Sequence, residues 1–294
     1  MVHPCPGWRS RAVMALLAAA LGVMAGCGGQ QPRPASATPS TAGSPAGSTA
    51  TPTASSATAT AHRPARTASS PTPAARTHGA GTVVVLDPGH NGGNGAHPEV
   101  INRLVPAGRG ISKACNTTGT ATNAGYPEHA FTFAVAVRVA ALLRKSGVTV
   151  LLTRSNDSGV GPCVNTRAAI GNRANAAAAV SIHADGASPS GHGFHIAYSS
   201  PPLNTAQSGP ALRLARSLRD RMRAAGFGTS NYLGSAGLDG RNDLGGLNLS
   251  TRPAALIECG NMRNAGEAAV FASASGRAHY ARAIAAGIIA YLGG

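Results

Sequence analysis

Val83-Val84-Val85-Leu86-Asp87-Pro88-Gly89-His90 is the stretch from which the fold can be read. Four apolar residues, three of them β-branched, describe a short buried strand, and Asp-Pro-Gly ends it in a loop. Downstream, Phe131, Val135, Val139 and Leu142 recur every three to four residues between Glu128 and Lys145. That spacing predicts an amphipathic helix, with Pro127 suited to its first turn and Gly147 to its end. The pattern then repeats. Strands are expected at 148–153, 179–183, 194–198 and 254–257, and helices at 167–177 and 211–225, with one or two more over 267–292. Strands alternating with helices predict a single three-layer α/β domain whose mostly parallel, twisted sheet is flanked by helices. In such sheets the functional groups gather outside the carboxyl ends of the strands.

Composition sets the limits of this reading. Of 294 residues, 43% are apolar and only 12% charged, about half the usual charged fraction. No apolar run reaches the roughly eighteen residues of a membrane span, and no heptad pattern supports a coiled coil. The chain carries 25 Lys and Arg against 10 Asp and Glu. All ten acidic residues fall at Asp87 or later, where 19 basic residues leave a net charge of +9 over 80–294. Such a balance favours an anionic partner, or is simply a basic surface. Scattered basic residues and few aromatics argue against nucleic acid.

The first 79 residues read as an address and a tether. Arg9 and Arg11 precede the apolar stretch Ala12–Met24, and small residues follow. That describes an export signal over 1–26. Arg9-Ser10-Arg11 is not a twin-arginine pair. Met24-Ala25-Gly26-Cys27 resembles a bacterial lipoprotein cleavage box. The resemblance implies a lipid on Cys27 and anchoring at the outer face of the cytoplasmic membrane; ordinary secretion to the cell wall is the alternative. Residues 27–79 are mainly Ser, Thr, Pro, Ala, Gly and Gln without apolar periodicity. A segment that cannot bury enough surface to offset its ordering entropy is expected to be a disordered linker.

Four residues stand at the expected strand ends or next to them. His90 follows the first strand, His183 ends the third, Glu258 follows the fifth, and Glu128 opens the long helix. Two imidazoles and a carboxylate suit a catalytic zinc with an open fourth position. A second carboxylate can then carry a proton from water to a leaving nitrogen. Spacing leaves other readings open. His90 can be a solvated turn residue, His183 a satisfied core histidine, and Glu128 a partner of the helix dipole. Glu258 differs, because it interrupts a buried-looking run where an unpaired carboxylate is costly.

The ordered motifs add to this. Val83–Gly93, Glu128, Val148–Arg154, Arg167, Ala174-Asn175, Ser181-Ile182-His183-Ala184-Asp185 and Pro253–Asn261 resemble the successive motifs of the zinc-dependent N-acetylmuramoyl-L-alanine amidases, amidase type 3. The resemblance covers about 82–292 and is closest to compact actinobacterial-type members without a separate wall-binding domain. It implies one zinc ion held by His90, Glu128 and His183, with Glu258 as the catalytic acid/base. It also implies hydrolysis of the amide between N-acetylmuramic acid and L-alanine. The expected partners are peptidoglycan or a muropeptide, and the membrane through the lipid anchor alone; a monomer is expected. Asp185 and Cys259 depart from the family's usual residues, and neither is a ligand.

Other histidines are spare candidates: His129, for which a surface role is expected, His192 and His195. Arg154, Arg167 and Asn175 are expected to make structural contacts below the site. Outside the cytoplasm an even number of cysteines should pair. Cys115 and Cys163 lie in polar, loop-like stretches and are paired here, which leaves Cys259 a buried free thiol. A solute-binding lipoprotein would not need His90, Glu128, His183 and Glu258 together. A non-catalytic wall-binding or regulatory lipoprotein of the same fold would need a broken metal triad. Gly-x-Ser-x-Gly, the phosphate loop and the Rossmann glycine spacing are absent from the sequence.

Overall fold

The computed structural model describes residues 81–293. The export signal, the tether and Cys27 lie outside them.

In chain order the strands are β1 (Val83–Pro88), β2 (Leu104–Pro106), β3 (Ser112–Ala114), β4 (Thr149–Leu152), β5 (Ala178–Asp185), β6 (His195–Ser199), β7 (Leu238–Arg241) and β8 (Ala254–Asn261). The helices are α1 (Pro98–Ile101), α2 (Glu128–Lys145), α3 (Val164–Arg173), α4 (Thr205–Ser208), α5 (Pro210–Ala224), α6 (Gly245–Asn248), α7 (Ala265–Ala272) and α8 (Ala274–Gly293). The main sheet has the order β4-β1-β5-β8-β6-β7. Neighbours run parallel except β6 and β8, which are antiparallel. The mostly parallel α/β domain expected from the alternating pattern is therefore present.

One face of the sheet carries the core. Leu86, Ile182, Ile257 and Ile196 pack with Phe131 and Val135 of α2, Leu214 and Leu218 of α5, and Ile284 of α8, all of them fully buried. Each such aliphatic side chain contributes about 2 kcal/mol on leaving water. Helices α5 and α8 approach so closely that a Cβ on Gly287 would lie 2.9 Å from the Leu218 Cα. The other face is thinner: Ala197, Leu247 and Ala254 form a small second cluster near α6. Asp87, Ser181, Leu256 and Glu258, on the same face, line a cavity.

The sequence missed several pieces. Residues 91–126 carry α1 and the antiparallel hairpin β2–β3. Strand β7 was unread because Leu-Asp-Gly-Arg has neither alternation nor β-branched residues. The closing helical segment breaks at Ser273 into α7 and α8, where the backbone turns extended.

The chain enters β1 at Val83, at the sheet edge opposite the carboxyl ends of β1, β5 and β8. Beyond β8 and α7, helix α8 runs back along α5, with Ser217 Oγ donating to the Gly287 carbonyl. Both ends of the domain therefore leave by the edge remote from those carboxyl ends.

Candidate active site

The structure brings His90, Glu128 and His183 together at the carboxyl edge of the sheet. One potential ligand atom from each lies within 4.8 Å of the others. Glu128 is the first residue of α2 and is 4% exposed. Its Oε2 is 3.1 Å from His90 Nε2 and its Oε1 3.0 Å from His183 Nδ1. The Thr120 and Ala184 backbone N–H groups also donate to it. Burial alone would push this carboxyl up, but the two imidazoles outweigh burial and hold it well below the usual range.

The donor set fits a divalent metal. His90 Nδ1 lies 3.0 Å from the Thr117 carbonyl, which turns Nε2 toward Glu128. A ligating histidine is commonly oriented this way by a carbonyl on its far nitrogen. The cradle is tight. A Cβ on Gly89 would overlap the His183 ring, and one on Gly119 would lie 2.8 Å from both Glu128 Oε2 and His90 Cδ2. Two nitrogens and a carboxylate are donors that zinc accepts.

Glu258 lines the same cavity, of about 420 Å³. It sits beside His183 in the β5–β8 register. Its Oε2 is buried without a hydrogen-bond partner. Burial first, then the charges of Asp185 and Glu128, push its carboxyl well above the usual range. A carboxyl raised in this way suits a proton carrier. The hairpin side of the cavity offers Lys113, Asn116 and Thr117, and the adjoining segment Leu244, Gly245 and Leu247.

Two arginines fasten the His90 loop from beneath. Arg167 donates to Asp87 Oδ1 and to the carbonyls of Pro88 and His90. Arg154 donates to the Pro88 and His129 carbonyls and to Asp157. Asn175 takes a left-handed φ of 48° in the turn after α3. His129 faces Asp157 at 2.9 Å and does not line the cavity. His192 is exposed, whereas His195 is 1% exposed and stands next to Glu258 across the sheet.

Cys115 and Cys163 form a disulfide, with Cα atoms 4.2 Å apart. It joins the end of the hairpin to the loop before α3, beside the Asn116 Nδ2 to Pro162 carbonyl hydrogen bond. Cys259 is a buried free thiol, and burial pushes its pKa up.

Comparison with known proteins bears on what this arrangement does. Residues 84–290 match the N-acetylmuramoyl-L-alanine amidase family model. The N-acetylmuramoyl-L-alanine amidase Rv3717 of Mycobacterium tuberculosis is 49% identical over 213 residues, 72% of this chain and 87% of that protein. Among solved structures, the N-acetylmuramyl-L-alanine amidase Ami1 of Mycobacterium smegmatis is 51% identical with a TM-score of 0.71, covering 73% of this chain and 98% of its own. The amidase AmiC2 of Nostoc punctiforme is 26% identical with a TM-score of 0.56, covering 72% of this chain and 98% of its own.

Proposed function

The chain belongs to the N-acetylmuramoyl-L-alanine amidase family, and from that premise we propose that it is a zinc-dependent peptidoglycan hydrolase cleaving the amide between N-acetylmuramic acid and L-alanine. The observation that carries the zinc reading is the convergence of His90, Glu128 and His183 beside Glu258 in one cavity. These three residues would hold the ion. When bound, zinc polarises the scissile carbonyl and acidifies water. Glu258 accepts a proton from the attacking water and returns it to the departing alanine nitrogen, so the peptide leaves with a neutral amine. Arg167 and Arg154 keep the His90 loop in place through its carbonyls. The cavity's volume is in the range that takes a small ligand such as a muramyl peptide.

The segment arrangement belongs to the same proposal: a signal at 1–26, a tether at 27–79 and a catalytic domain at 80–294. Lipid on Cys27 would hold the enzyme at the outer face of the cytoplasmic membrane as a monomer. Cys27→Ser would then shift it from the membrane fraction to the soluble one. Its basic domain suits an anionic wall.

The test is digestion of a muramyl peptide by the zinc-loaded protein, read by mass spectrometry with and without a chelator. Chelator-sensitive release of a peptide with a free N-terminal L-alanine is expected. No cleavage of that fragment or of whole peptidoglycan, by folded zinc-loaded protein, would overturn the reading in favour of a non-catalytic wall-binding relative.

A further inference from the structure

Glu258 belongs to a row of polar side chains laid across the sheet. In the β5–β8 register His183 is its neighbour on one side, and in the β8–β6 register His195 is its neighbour on the other. Residues directly opposite in an antiparallel pair share a face, with Cβ atoms about 5 Å apart. His195 therefore projects from the same face as Glu258, inside the protein at 1% exposure. Beyond it comes Asp239 of β7, whose Oδ2 lies 3.9 Å from His195 Nε2. The Tyr232 ring stands edge-on to His195 at 6.2 Å, and its hydroxyl donates to Asp185.

Two buried atoms in this row have no hydrogen-bond partner: Glu258 Oε2 and His195 Nδ1. Buried polar atoms are seldom left unmatched, because water no longer satisfies them. Here the two orphans belong to side chains paired across β8 and β6 on one face of the sheet. Asp239 lies on the side of the other ring nitrogen, Nε2.

We propose that His195 is a positioning residue for Glu258, holding its inner oxygen so that the outer oxygen faces the cavity, with Asp239 steadying the ring from behind. The proposal rests on Glu258 being the proton carrier. A carboxylate fixed at one oxygen presents the other in a single direction, whereas a free one samples several. Misplacing a reacting group by about an ångström can lower turnover by about a hundredfold.

The experiment uses the full chain loaded with zinc. His195→Leu is expected to lower kcat on a muramyl peptide by about 10- to 100-fold, with KM and zinc affinity unchanged. His195→Asn, whose amide nitrogen takes nearly the place of the imidazole Nδ1, should recover part of the loss. In protein labelled with nitrogen-15 at histidine, Glu258→Gln should shift the ring-nitrogen resonances of His195. Wild-type kcat in His195→Leu would overturn the proposal, and so would equal loss of kcat and zinc affinity in it. Unmoved His195 resonances in folded Glu258→Gln would overturn it too, even if His195→Leu fails to fold. If Glu258→Gln itself keeps normal turnover, the failure belongs to the proton-carrier reading, and the resonance shift still reports whether the two side chains touch.

Discussion

Arg167 Nη1 donates to Asp87 Oδ1 at 2.6 Å, and the same guanidinium reaches the His90 carbonyl at 2.8 Å. One buried cation therefore ties the floor of the sheet to the loop that carries a candidate metal ligand.

The acid limb of stability should show this pair. Burial by itself would raise the Asp87 carboxyl, but Arg167 and the Ser181 and Thr153 hydroxyls outweigh it and lower it from 3.8 to about 2. A carboxyl depressed in the folded state stabilises above its unfolded value, and that contribution is lost as pH falls through the folded value. The shift corresponds to about 2 kcal/mol, present above pH about 4 and gone below about 2. Denaturant titrations at stepped pH should show a shallower acid limb in Asp87→Asn than in the parent. Identical limbs would refute the assignment.

Removal of the two kinds of site residue should separate chemistry from metal. Glu258→Gln is expected to lose about 10²- to 10⁴-fold in kcat while retaining one zinc per chain. His183→Ala should lose zinc as well as turnover. Metal analysis alongside the digest reads both, and near-normal activity in Glu258→Gln would remove that residue from the mechanism.

Gly119 tests the tightness of the cradle. It has φ +79° and faces Glu128 and His90, whereas Gly125 has φ +85° and nothing within 4 Å. An alanine at either position costs about 1 to 2 kcal/mol of backbone strain. Only Gly119→Ala should also weaken zinc binding, by about 10-fold or more for each 1.4 kcal/mol of crowding that the ligands must absorb. Competition with a chromogenic chelator measures it; equal affinities for the two variants would show that the crowding is relieved elsewhere.

The disulfide closes a 48-residue separation, for which the chain-entropy model gives about 4 kcal/mol. Cys115→Ser is expected to lower Tm by about 10 °C in a domain of this size. Alkylation of the native chain should label Cys115 and Cys163 only after reduction. Two reactive thiols at those positions before reduction would contradict the bridge.

Much of the fold was legible because its central strands are short, apolar and β-branched, as in Val83-Val84-Val85, and because α2 keeps a clean helical period. The four converging site residues were legible for a related reason: each stands in, or just after, an element whose identity the pattern reveals, although β5 and β8 run on past His183 and Glu258. His195 was named only as a spare candidate. Its importance depends on β6 running antiparallel to β8, a long-range pairing that no local period encodes. Asp239 was missed with β7, since a four-residue edge strand with a central Asp-Gly reads as a turn. The hairpin at 104–114 escaped for want of length: three residues a side are too few to show alternation. Arg167 and Arg154 were expected to make structural contacts below the site; Arg154 is not among the cavity-lining residues, whereas Arg167 also lines the cavity, and their carbonyl partners could not be named without the course of the loop.

Because both ends of the domain leave by the edge remote from the cavity, attachments at either end grow away from its mouth. A bead, a fluorescent protein or a second module can be fused before Val83 or after α8 without passing in front of His90 or Glu258. The architecture thus leaves either end of the domain available as a handle for immobilisation, away from the cavity.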